Sequence, residues 1–119
     1  MGIAAFWKRL IRKPDENDPV YREEFAKRIS SKILRYVSER TTDADSDEVI
    51  DTIIGRDGHF SINADGYLTI YCEGVKVFSC KCRELKAYEF LSLEGAVLEG
   101  FDSVKGKHRQ IIAYYKYYR

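Results

Sequence analysis

The stretch HFSINADGYLTIYCEGVKV, residues 59–77, reveals the fold through its spacing. Phe60 and Ile62 alternate with Ser61 and Asn63, and Leu68, Ile70 and Cys72 alternate with Thr69 and Tyr71. A period of two marks a strand with one buried face. Asp65-Gly66 and Glu73-Gly74 are turn signals between the runs. A two-residue turn at Asp65-Gly66 would set Ile62 opposite Thr69 and split the apolar residues between two faces. A three-residue turn, Ala64-Asp65-Gly66 with Gly66 left-handed, sets Ile62 opposite Leu68 and Phe60 opposite Ile70. The second arrangement gives one apolar face, so the spacing predicts it. Glu73-Gly74 then closes a second hairpin with Cys72 opposite Val75.

Downstream the same logic predicts a last hairpin. A Lys105-Gly106-Lys107 loop sets Phe101 opposite Ile111 and Val97 opposite Tyr115. Between the hairpins, Leu85, Tyr88, Phe90, Leu91 and Leu93 fit neither period, and residues 83–93 read as mostly strand with an irregular start. Phe78, Cys80, Ile112 and Tyr114 fall opposite the main apolar face. Either the sheet curls towards a barrel or a second layer covers part of it.

Upstream the period changes to that of a helix. Asp18 is a good N-cap, Pro19 suits the first helical position, and Glu23 and Glu24 lie near the positive end of the dipole. Tyr21, Phe25, Ala26, Ile29, Ile33, Tyr36 and Val37 share one stripe, predicting a helix over about 19–40. Asp45 with Glu48 resembles a capping box for a second helix over about 46–54. Val49, Ile50, Ile53 and Ile54 would be its buried face, and Gly55 its stop.

The expected fold class is therefore α+β: two N-terminal helices on a curved antiparallel sheet of five to six strands spanning 59–118. The alternative is a small pleckstrin-homology-like, partly open barrel with N-terminal helices. That class carries its capping helix after the strands, whereas here the helices come first. Residues 1–13 form a basic amphipathic segment, 14–18 a linker, and 19–119 a single domain.

Composition bounds the function. The chain has 119 residues, 45% apolar and 33% charged, with a formal charge of +1. That excludes collagenous, disulfide-scaffold and acidic disordered classes, and no apolar run approaches a membrane span. Three cysteines (Cys72, Cys80 and Cys82) and no secretory leader point to a reducing interior. Cys80 and Cys82 share a strand face and such a pair can chelate soft metals, but Cys72 lies at the other end of the hairpin. Three small buried side chains are the expected reading, with no metal and no cofactor.

No nucleophile elbow, phosphate loop, zinc-protease or dinucleotide motif occurs, so no catalytic residue, enzyme activity or small-molecule substrate is expected. Asp43, Asp45, Asp47, Glu48 and Asp51 cluster, but they lack the glycine and terminal glutamate of a calcium loop. They read as charge at a helix start.

Two segments suit a partner. Ile3, Ala4, Phe6, Trp7, Leu10 and Ile11 cover one side of a helical wheel, and Lys8, Arg9, Arg12 and Lys13 the other. That is the pattern of an interfacial helix on an anionic membrane. Docking on the sheet and self-association are its competing readings. At the other end, Lys105, Lys107, His108, Arg109, Lys116 and Arg119 are interleaved with Tyr114, Tyr115, Tyr117 and Tyr118. Cations beside rings suit single-stranded nucleic acid, although alternation splits the rings between two faces.

The expected role is a non-catalytic intracellular interaction or adaptor domain. It would meet a protein partner, a second copy or the inner membrane surface through residues 1–13. Nucleic-acid binding through residues 105–119 is the alternative. The expected location is the cytoplasm or its membrane surface. The overall charge hides a segregation: residues 1–13 carry +4, residues 41–57 carry −5 and residues 105–119 carry +5.

Overall fold

The computed structural model describes residues 18–116. Helix α1 spans Pro19–Ile29, with the Asp18 carboxylate accepting from the Val20 N–H at 2.9 Å. It buries Phe25, Ala26 and Ile29. The helix stops well short of the expected end near residue 40. Ser30 caps it by donating from Oγ to the Lys27 carbonyl at 2.6 Å.

The next element is strand β1, Ile33–Thr42, and not more helix. The second expected helix is absent too. Its residues begin strand β2, Val49–Ile62. Bulges account for the first difference. In the second, the apolar residues Val49, Ile50 and Ile53 are exposed on both sides of β2 and not gathered on one buried face. Opposite β7, β1 carries Arg35 as an extra residue, because Leu34 faces Tyr115 and Tyr36 faces Tyr114. Opposite β1, β2 carries Ile54 as an extra residue, because Val37 faces Gly55 and Ser38 faces Ile53. A β-bulge lengthens the side-chain period locally. Leu34 and Val37, three apart, are therefore both buried, and the sequence imitates a helix. The Asp45–Glu48 pattern closes a loop. Asp43 Oδ1 accepts from the Asp45 N–H at 2.8 Å, and the Asp43 N–H reaches the Glu48 carbonyl at 2.8 Å.

Strands β3 (Tyr67–Cys72) and β4 (Val75–Lys81) take the expected registers: Phe60 faces Ile70, Ile62 faces Leu68 and Cys72 faces Val75. Gly66 has φ of +81°, and Asn63 Oδ1 accepts from the Asp65 and Tyr67 N–H groups, each at 3.0 Å. The inward turn of Phe78 and Cys80 corrects the expectation that they face away from the core. Val77 is an extra residue against β3, which moves both to the buried face.

A 3-10 turn at Cys82–Glu84 leads to short strand β5, Lys86–Glu89, and then to β6 (Gly95–Asp102) and β7 (Lys107–Tyr115). Residues 83–93 thus hold an irregular start, four strand residues and a turn. The last hairpin differs from its expected register. Phe101 faces His108 and Val97 faces Ile112. Asp102 sets this register, because its carboxylate accepts from the Val104 and Lys105 N–H groups at 3.1 and 2.8 Å.

Among the described residues there are seven strands in one antiparallel sheet, ordered β4-β3-β2-β1-β7-β6-β5, with one α-helix. The sheet curls until edge strand β4 meets β6. The Ser79 N–H donates to Asp102 at 2.8 Å, and the Ser103 N–H to the Ser79 carbonyl at 2.8 Å. A Cβ on Gly100 would lie 2.6 Å from Cys80 Sγ, so glycine permits the approach. Helix α1 packs on the 3-10 turn and β5. A curled sheet with one helix is nearer to the partly open barrel than to two helices on a smaller sheet.

Candidate interaction surface

The C-terminal basic residues divide. Arg109 points inward, its side chain only 2% exposed. Its Nε and Nη2 donate to the two Glu39 carboxylate oxygens at 2.9 and 2.8 Å. Its Nη1 donates to Asp102 Oδ2 at 2.8 Å and to the Val77 carbonyl at 2.9 Å. This triad ties β1, β7, β6 and the β4 bulge together. The Arg109 hydrogen bonds hold the Glu39 carboxyl below its usual range. Burial pushes Asp102 up, but Arg109 and the Ser79, Lys105 and Val104 N–H groups outweigh it, so its pKa is also lowered. Lys105, Lys107 and His108 are exposed together around the β6–β7 loop, where His108 Nε2 lies 3.3 Å from Glu99. Lys116 is exposed just past the other end of β7. Arg119, Tyr117 and Tyr118 lie outside the described residues.

Tyr115 is buried in the core, while Tyr114 stacks on Tyr36 on the outer face with centroids 4.4 Å apart. Phe90 meets Tyr114 edge-on at 5.8 Å. Nearby, Arg40 grips Asp51 through two hydrogen bonds of 2.8 and 3.0 Å. That pair lowers the Asp51 pKa and raises that of Arg40. The three cysteines are buried and unbonded, and burial pushes the Cys80 thiol up to about 12. Among the described residues no three His, Cys, Asp or Glu side chains gather around a metal position.

The surface missed by sequence reasoning is an arm. β3 pairs with β2 only over Gly58–Ile62, and β7 pairs with β1 only as far as Arg40. Past both limits Thr41–Thr42 and Val49–Ile50 continue as a two-stranded ribbon to the loop at 43–48, while over Asp51–Ile53 strand β2 is an open edge beside β1, which β7 still pairs. Val49, Ile50 and Ile53 are 56%, 42% and 45% exposed there. Val49, Asp51 and Ile53 share one side of β2, and Ile50 and Thr52 the other. The loop presents Asp43, Asp45, Asp47 and Glu48 with no cation among them. The signal in the sequence is four apolar residues in six, which fits equally a helix that would bury them.

The expected membrane and partner contacts, Ile3, Phe6, Trp7, Lys8, Arg9, Leu10, Arg12 and Lys13, lie outside the described residues. Among the described residues no helix is long and apolar enough to cross a membrane. No protein-family model and no curated protein matches this chain.

Proposed function

We propose that this chain is a non-catalytic, intracellular interaction domain whose contact surface is the β1–β2 arm. The carrying observation is the exposure of Val49 and Ile50 on a ribbon that projects past its neighbouring strands, with Ile53 exposed on the open edge of β2 below it. A two-stranded ribbon gains little stability from itself. Apolar side chains grouped in water mark a contact surface more often than isolated ones do. The shifted carboxylates support the same reading, since Glu39, Asp102 and Asp51 serve ion pairs that hold strands together. Three buried, unbonded thiols fit a reducing compartment.

Nucleic-acid binding through residues 105–119 has less support, because Arg109 is committed to the interior and Tyr115 to the core. The test is photo-crosslinking in cells, with a photoactivatable residue replacing Ile53 or, as a control, Asp65 in the β2–β3 turn. The expected result is a specific adduct at position 53 and none at 65. No adduct at 53, or equal yields at both, overturns the reading.

A further inference from the structure

We infer that the occupant of the arm is residues 1–13 of this chain. The inference rests on the arm being a contact surface and adds what covers it. On one side of β2 the arm offers two exposed apolar residues, Val49 and Ile53, flanking the Arg40–Asp51 ion pair, with four carboxylates at the loop beyond. Residues 1–13 offer the complement: Ile3, Phe6, Trp7 and Leu10 with Lys8, Arg9, Arg12 and Lys13, and no acidic residue. The described part of the chain begins at Asp18, so this segment is outside it and joined to it by a short linker.

Charge complementarity selects this occupant. Asp51 is already paired with Arg40, which leaves Asp43, Asp45, Asp47 and Glu48 as the arm's charge with no ion pair among the described residues. An anionic membrane would be repelled by that loop, whereas a cationic amphipathic segment satisfies both the charge and the exposed apolar residues. Residues 1–13 then shield the arm from water, and a competing partner must displace them.

Trp7 is the only tryptophan of the chain, so its fluorescence reports directly on this contact. In the full chain without lipid, Trp7 emission is expected to be blue-shifted. The shift should be lost in Val49→Lys/Ile53→Lys and reduced by high salt or by Asp45→Lys/Glu48→Lys. Ile50→Lys, on the other side of the same ribbon, should retain it. All variants change exposed positions, and far-ultraviolet circular dichroism checks that each is folded. Emission typical of a water-exposed indole in the unmodified chain overturns the inference. So does a blue shift indifferent to the Val49 and Ile53 changes, one lost equally with Ile50→Lys, or one that arises only with anionic phospholipid vesicles. A crosslink at position 53 that maps outside residues 1–13 sinks this occupant while leaving the arm a contact surface.

Discussion

Arg109 leaves the basic C-terminal set because Asp102 fixes the β6–β7 turn and turns the residue inward. Once inside, its guanidinium satisfies two carboxylates and a bulge carbonyl. Breaking a buried ion pair strands the remaining charge, which is worse than never having had the pair. Arg109→Ala is expected to cost about 3–5 kcal/mol in urea unfolding at neutral pH. A loss under about 1 kcal/mol, the scale of exposed pairs, would show that the triad does not lock the curl. The triad also sets an acid limit. Glu39 and Asp102 have folded pKa values below their ordinary 4.5 and 3.8. In that interval the unfolded chain binds more protons, so stability is fully present above the ordinary values. It is lost as pH falls through them towards the folded ones. Urea midpoints should hold down to about pH 5 and then fall, with a shallower fall in Glu39→Gln. Gly66 isolates backbone strain, because an added Cβ would meet nothing within 4 Å while φ is +81°. Gly66→Ala should cost about 1–2 kcal/mol through φ alone, measurable by the same unfolding series.

At the scale of elements, the β2–β3–β4 hairpins were legible because turn residues and alternation agreed. β1 and β2 were not. Arg35 and Ile54 each add one residue to a strand, and one added residue turns spacing of two into spacing of three. Val77 does the same in β4, which is why strict alternation puts Phe78 and Cys80 on the wrong face. Sequence spacing cannot separate a bulged strand from a helix when neither strand neighbour is known. The arm was hidden as well, since Val49, Ile50 and Ile53 fit a buried helix face as readily as an exposed ribbon and strand edge. The contact between β4 and β6 can be tested by itself. Gly100→Ala places a methyl against Cys80 Sγ and should cost about 1–3 kcal/mol by overpacking. Adding Cys80→Ala removes the clashing sulfur, so the double variant should be more stable than the sum of the single effects predicts. Strict additivity would mean that β4 and β6 do not touch there.

At the scale of the whole molecule, the near-zero net charge conceals a basic start, an acidic arm and a basic end. The structure separates the last two in role. The basic end is partly internal through Arg109, while the acidic loop stands on the arm. Exposed apolar residues and four carboxylates meet on the arm, and the N-terminal residues carry the matching pattern. The central claim is therefore a contact between residues 1–13 and the arm. A nitroxide spin label at position 5, on Ala5→Cys in the full chain, which leaves Ile3, Phe6, Trp7 and Leu10 in place, tests it most directly. The three native thiols are buried, and burial raises their pKa values, so the label goes selectively to the new cysteine. Paramagnetic broadening should fall on the methyl signals of Val49 and Ile53 and spare Val75, which is exposed at the β3–β4 turn. Unbroadened Val49 and Ile53 signals, or equal broadening at Val75, would contradict it.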